Sequence, residues 1–301
     1  MQTLLKEAQE GNRRALARLI TAVENELAGY LSLLQNLPIN SKVPVIGITG
    51  PPGAGKSTLI SALIKRISEE SPAAKIAVLA VDPSSPFTRG ALLGDRLRMN
   101  EHFNNPNIYI RSLATRGALG GLSARSIEVT DVLRSAGFDY ILIETVGVGQ
   151  SEVDIVSLAD ITIVVLVPEA GDEIQTIKSG IMEIANIFVV NKADRDGANI
   201  MLKNLFTTLH ERPVSEWPVE VVKTIASTGN GVEELLAAIH KQLTGLPSRR
   251  HQLLSHQAYR LIQHYRMKDI TIEKLGASLK EFDVEDNFNI YSFVEKFLQG
   301  K

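Results

Sequence analysis

The sequence predicts an α/β fold: a doubly wound, mainly parallel sheet with helical extensions at both ends. Three observations predict it. Between Val43 and Ile225, short β-branched runs alternate with longer amphipathic stretches, the pattern of repeated βα units. Several of the runs are almost wholly apolar, as strands buried on both faces of a parallel sheet must be. The residues before and after this region carry the three- and four-residue periodicity of helices instead.

Taken in order, Leu4, Leu5 and Ala8, then Leu16, Leu19, Ile20, Val23 and Leu27, recur at helical steps. Gly11-Asn12 separates two helices, and Asn36 to Ser41 reads as a linker. The expected strands are Val43–Thr49, Lys75–Asp82, Ile108–Leu113, Tyr140–Thr145, Ile161–Val167, Ile187–Asn191 and Val219–Ile225. The expected helices between them are Lys56–Glu70, Ser123–Ala136, Ile174–Ile184, Ala198–Leu209 and Val232–Leu243. Gly245-Leu246-Pro247 closes the α/β region. The tail is helical again, with Leu253, Ala258, Leu261, Ile262 and Tyr265 on one face and a second apolar segment from Phe288 to Leu298. The expected organisation is a helical extension over 1–42, an α/β domain over 43–246 and a helical segment over 247–301.

Composition narrows the chemistry. Hydrophobic residues are 44% and charged residues 22% of the 301, ordinary for a folded soluble protein. Thirty-two basic and 34 acidic residues leave a net charge of −2, so no global basic field exists to hold nucleic acid or an anionic membrane. Cysteine is absent, which removes disulfides, thiolate metal sites and thiol catalysis together. The stretch Met1 to Arg14 lacks the apolar core of a signal peptide, and the longest apolar run, Ile161 to Val167, falls far short of the ~20 residues that span a bilayer. The expectation is a cytoplasmic protein whose ligands are oxygen, nitrogen and backbone groups.

Gly50-Pro51-Pro52-Gly53-Ala54-Gly55-Lys56-Ser57 fits the phosphate-loop pattern G-x-x-x-x-G-K-S/T. It leaves an expected strand and opens an expected helix, the context that gives the pattern its meaning. Glycines let the backbone wrap a phosphate with N–H groups turned inward at a helix N-terminus, here as far as Thr58. Lys56 is placed to reach the β and γ phosphates and the Ser57 hydroxyl to coordinate Mg²⁺. A nucleoside triphosphate is the implied ligand.

Asn191-Lys192-Ala193-Asp194 follows the strand at Ile187 and indicates the base. A carboxylate such as that of Asp194 accepts from both N1–H and N2–H₂ of guanine, whereas adenine would leave the charge unpaired. Hydrogen bonds to charged groups contribute ~1.5–3 kcal/mol each, enough to discriminate strongly. The Lys192 stem can cover one face of the base, and Asn191 can tie neighbouring loops together. Ala226-Ser227-Thr228 either contacts guanine O6 through its backbone or caps the following helix. Acids fall at expected strand ends on the nucleotide edge. Asp82 and Glu144 end their strands and Asp95 lies in the next connection, all placed to see Mg²⁺ or the attacking water. Gly147 is positioned for its N–H to meet the γ-phosphate, which would make its loop a nucleotide-sensitive switch. Gln150 is a candidate to orient water, and Arg89, Arg96, Arg98 and Arg116 are candidates to stabilise developing charge.

With these motifs, Val81-Asp82-Pro83-Ser84-Ser85, Arg116-Gly117-Ala118-Leu119-Gly120-Gly121 and Glu144 through Glu152, the sequence resembles the MeaB/ArgK family, GTPases associated with methylmalonyl-CoA mutase and similar adenosylcobalamin-dependent mutases. The resemblance implies a GTP- and GDP-binding, Mg²⁺-dependent GTPase that acts as a chaperone, gating cofactor delivery to a mutase and protecting or reactivating it. It implies that Asp82, Asp95 and Glu144 join the Mg²⁺ and hydrolysis network, and that Lys178 belongs to a further loop coupling nucleotide state to the partner. On the residues alone Lys178 reads as a solvated helix lysine. The family's homodimer forms through a C-terminal helical extension, which 247–301 matches in general character. Metal-inserting relatives carry Cys- or His-rich segments, whereas His251, His256 and His264 are loosely spaced and read as surface residues. A transport-system kinase and a GTP-dependent interaction switch are the alternative readings.

Overall fold

A computed structural model describes residues 1–82, 99–114, 124–145, 154–168, 181–210, 218–280 and 288–299. Three helices come first: α1 (Gln2–Gln9), α2 (Arg13–Glu24) and α3 (Tyr30–Gln35). Asn12 starts α2 by accepting the amides of Arg14 and Ala15 at 3.0 and 3.1 Å, and Leu16, Leu19, Ile20 and Val23 bury its apolar face. The helix does not continue to Leu27, which is 51% exposed. It stops at Asn25, and α3 is a further short helix beyond the two expected.

Among the described residues the sheet has seven strands, β1 (Val45–Thr49), β2 (Ile76–Asp82), β3 (Ile108–Ala114), β4 (Tyr140–Glu144), β5 (Ile161–Leu166), β6 (Ile187–Val190) and β7 (Glu220–Lys223). Every pairing is parallel, in the order β3-β2-β4-β1-β5-β6-β7. Strands β1, β5 and β6 are buried along their whole length, which explains their unbroken apolar sequence. The intervening helices are α4 (Lys56–Glu70), α5 (Ala124–Ser135), α6 (Ile181–Ile184), α7 (Ala198–His210) and α8 (Val232–Leu243). The expected helix from Ile174 lies outside the described residues until Ile181. Strand order reverses at β1, whose neighbours are β4 and β5, and in such sheets ligands bind beyond the carboxyl ends at this point.

Amphipathic α4 and α8 pack on each other and cover the sheet. On the other flank, α2 packs against α5. The fully buried Ile46, Ile48, Leu59, Leu63 and Phe188 lie in one core, each contributing about 1.5–3 kcal/mol of apolar burial. The chain divides into two compact units, 1–257 and 258–301. Helix α9 (Leu246–Met267) begins in the first, where Arg250 donates to the Ser41 carbonyl at 3.0 Å. The second holds the end of α9, α10 (Ile272–Leu279) and α11 (Ile290–Gln299), with Phe293 buried between Phe288 and Phe297. The tail is helical as expected, but Ile262, Tyr259 and Ile272 stay exposed. Among the described residues no helix is long and apolar enough to cross a membrane.

Candidate functional site

The site is built at the carboxyl ends of β1, β4, β6 and β7. The chain leaves β1 at Thr49 and turns through Gly50, whose φ is 140°. A Cβ on Gly50 would stand 2.2 Å from the Val165 carbonyl oxygen, so only glycine lets the loop pass this close to β5. Gly55, at φ 90°, abuts Asn191 in the same way, a Cβ there lying 2.4 Å from Nδ2. Helix α4 then starts at Lys56. The Lys56 ammonium, nearly buried, donates to the Gly50 and Pro51 carbonyls at 2.8 and 3.1 Å. Pro51 and Pro52 have no N–H, so the loop's backbone donors come from Gly53 onward. Thr58 is exposed in the first turn of α4.

Ser57 is buried and its hydroxyl donates to Glu144 Oε1 at 2.6 Å. Register explains the meeting: Glu144 at the end of β4 lies beside Ile48 of β1 and Ala80 of β2. Asp82 ends β2 two positions past Ala80, on the same edge of the sheet. Next to this pair, Thr145 Oγ1 donates to Thr49 Oγ1 at 2.8 Å, and both threonines are buried. Sequence reasoning did not single out this hydroxyl pair. Its signal was a threonine ending each of two strands that otherwise read as apolar.

On the far side Asn191 joins three loops. Its Nδ2 donates to the Ala54 carbonyl at 2.8 Å, while Oδ1 accepts from Thr224 Oγ1 at 3.0 Å and the Ala226 amide at 3.1 Å. The expected strand Ile187–Asn191 therefore ends one residue earlier, because Asn191 is committed to loops. Lys192 turns into the left-handed region at φ 53°, and the Ala193 amide bonds the Thr224 carbonyl at 3.0 Å. Asp194 follows, exposed, and the loop 226–228 continues from the Thr224 that Ala193 bonds. There Thr228 N–H and Oγ–H both bond the Ile225 carbonyl, and Ser227 is exposed. Thr224 was missed by sequence reasoning, since a threonine at a strand end names no partner.

The structure thus brings together Gly50 to Thr58, Glu144, Asn191, Lys192, Asp194 and Ala226 to Thr228, with the Asp82 backbone on the same edge. Asp95, Gly147, Gln150 and Lys178 lie outside the described residues, as do Arg89, Arg96, Arg98 and Arg116. Of the tail histidines, His251 and His256 are exposed and His264 meets the Tyr265 ring edge-on.

A phosphate loop at the reversal of a parallel sheet, with an Asn-Lys-x-Asp loop beside it, defines the P-loop GTPase class. Residues 16–278 match the family described as "Methylmalonyl Co-A mutase-associated GTPase MeaB", and the chain belongs to that family. A Pyrococcus horikoshii protein provisionally named a GTPase is 45% identical over 291 residues, 93% of this chain and 90% of its own length. A Geobacillus kaustophilus protein named fused isobutyryl-CoA mutase is 38% identical over 252 residues, 78% of this chain but 23% of that longer protein. A solved structure described as an LAO/AO transport system kinase superposes with a TM-score of 0.71 at 26% identity, covering 99% of this chain and 97% of its own. The chain is accordingly a guanine-nucleotide-binding GTPase associated by family with methylmalonyl-CoA mutase.

Proposed function

We propose that this GTPase is a chaperone of an adenosylcobalamin-dependent acyl-CoA mutase, which uses its nucleotide state to gate cofactor loading and to protect or reactivate the mutase. The observation that carries the reading is the fused isobutyryl-CoA mutase, whose single polypeptide contains a stretch 38% identical to this chain. A GTPase of this kind then works within reach of a mutase.

In this reading the triphosphate lies along the backbone N–H groups from Gly53 to Thr58, with Lys56 exchanging the Gly50 and Pro51 carbonyls for phosphate oxygens. Asp194 pairs with N1–H and N2–H₂ of guanine, the Lys192 stem covers the base, and the Ala226 to Thr228 loop borders O6. Ser57 Oγ and Glu144 Oε1, 2.6 Å apart, are hard oxygen donors of the kind Mg²⁺ takes, and Asp82 ends its strand on the same edge. Asp95 is the further acid of the set. These oxygens would hold the ion, which would supply neutralisation of phosphate charge. Hydrolysis joins a water oxygen to the γ-phosphorus and breaks its bond to the bridging oxygen, giving GDP and phosphate. Gly147 and Lys178 belong to the segments that report this change to the mutase. The exposed Ile272 and Tyr291 of the C-terminal helices favour a homodimer through 247–301, and the working compartment is the cytoplasm.

Co-purification with methylmalonyl-, isobutyryl- and ethylmalonyl-CoA mutases, under a GTP analogue and under GDP, tests the reading. Nucleotide-sensitive binding to one mutase, with faster GTP turnover in its presence, is expected. Binding to none of them, with identical turnover rates, overturns it. Phosphotransfer to a protein or amino acid is the second reading, favoured by the likeness to the solved transport system kinase. With γ-labelled GTP, label recovered entirely as inorganic phosphate rejects it.

A further inference from the structure

Glu26 occupies a backbone position that glycine usually fills. Helix α2 ends at Glu24, Asn25 caps it, and Glu26 turns into the left-handed region at φ 51°. The amides of Glu26 and Leu27 reach back to the carbonyls of Val23 and Ala22 at 3.2 and 2.9 Å, the double hydrogen bond of a Schellman helix end. A side chain is strained there and glycine would relieve it. Among the described residues the only other non-glycine at positive φ is Lys192, inside the guanine motif. Strain of this kind persists where the surroundings over-determine it, often at functional sites.

The surroundings here are charged. Glu26 pairs with Arg125 in the first turn of α5. Arg125 also pairs with Glu128 and lies over the Tyr30 ring, 5.4 Å from its centroid. Burial opposes the guanidinium charge, but the carboxylates of Glu128 and Glu26 outweigh it and raise its pKa. At the last residue of the helix, Glu24 pairs with Arg111 of β3, which also donates to Thr21 Oγ1 at 3.1 Å. The end of α2 therefore grips both the strand before α5 and the first turn of α5 itself. Helix α5 starts at the carboxyl edge of the sheet and packs on β4, whose last residue is Glu144, the acceptor of the Ser57 hydroxyl.

We propose that Glu26 is a positioning residue for GTP hydrolysis: through Arg125 it fixes the first turn of α5 against β4, and through β4 the Glu144 carboxylate at Ser57. The N-terminal helices are then part of the hydrolytic apparatus, although they lie on the far side of α5 from it. The proposal rests on the reading of Ser57 and Glu144 as hydrolysis-site residues.

The test compares full-length wild type with Glu26→Gly, Glu26→Gln and Glu144→Gln, by steady-state GTP hydrolysis and thermal melting, with activity measured well below every transition. Glu26→Gly removes the charge and relieves the backbone. It is expected to melt at or above wild type yet lose about three- to ten-fold in kcat, with KM for GTP within about two-fold. Glu26→Gln, which keeps the backbone strain, is expected to show the same kcat loss. Wild-type kcat in both Glu26 variants, whatever their melting temperatures, overturns the proposal if Glu144→Gln is impaired. Wild-type kcat in Glu144→Gln overturns instead the reading of the site on which it rests.

Discussion

Asn191 does its work with one amide. Its buried side chain satisfies the Ala54 carbonyl, the Ala226 amide and the Thr224 hydroxyl, so the phosphate loop and the base-binding loop share a single fastening. Asn191→Ala strands these groups, and a buried unsatisfied polar group costs about 1–3 kcal/mol. The variant is expected to melt lower and to bind GTP at least about ten-fold more weakly; titration with a fluorescent GTP analogue checks it, and unchanged affinity rejects the fastening role. Asp194→Asn is expected to weaken GTP and admit xanthosine triphosphate, because an amide can donate to the xanthine oxo group. Competition binding between the two nucleotides decides it. The contiguous motifs made the phosphate loop and the Asn-Lys-x-Asp loop legible in the sequence, since their chemistry sits in consecutive residues. The Ser57–Glu144 hydrogen bond and the Thr49–Thr145 pair depend on the register of β1 against β4, which no local pattern states.

At the scale of elements, the strands and helices α4, α5, α7 and α8 were legible within a residue or two, because apolar runs and helical stripes each carry their own period; most of the expected helix Ile174–Ile184 lies outside the described residues. The end of α2 was not. Glycine is the usual stop signal, and here a glutamate takes the left-handed position, so the apolar spacing ran on to Leu27. Helix α5 illustrates a second kind of information missing from a local reading. Wedged between the sheet and α2, it carries Asp131, whose pKa burial pushes up to about 6, against the pull of Arg134. The raised value means that the folded protein favours the proton. Ionised Asp131 costs up to about 3 kcal/mol above pH 6, a cost relieved as pH falls from about 6 toward about 4. Asp131→Asn is expected to raise the melting temperature at pH 7.5 and to remove that part of the pH dependence. His102 has the opposite sign. Burial lowers its pKa, so its contribution is present above pH 6.5 and is lost below. Melting curves from pH 4 to pH 8 for the two variants Asp131→Asn and His102→Gln separate them. The close approaches make a further test. A Cβ on Gly231 would lie 1.9 Å from the Lys223 carbonyl oxygen, so Gly231→Ala is expected to lower the melting temperature and loosen the 226–228 loop. A melt equal to wild type would show that β7 can move aside.

For the molecule as a whole, nucleotide binding and folding are linked. A ligand that binds only the folded chain, at about a hundred times its Kd, stabilises it by about 2.7 kcal/mol. GDP is expected to raise the melting temperature accordingly and ATP at the same concentration to leave it in place; equal shifts with both would reject guanine selectivity. The position of β1 has a consequence for how the chain comes to be folded. The first strand made is the middle of the sheet, and its two partners come much later in the sequence. Ile46 lies opposite Leu142 of β4 on one side and Ile161 of β5 on the other. Strands β2 and β3 can pair early, but one edge of β1 waits for β4 and the other stays open until β5 has been synthesised. A nascent chain that stops before Ile161 therefore displays an unpaired apolar strand edge, a template for self-association, and β1 can be covered on both edges only once more than half of the 301 residues have been made.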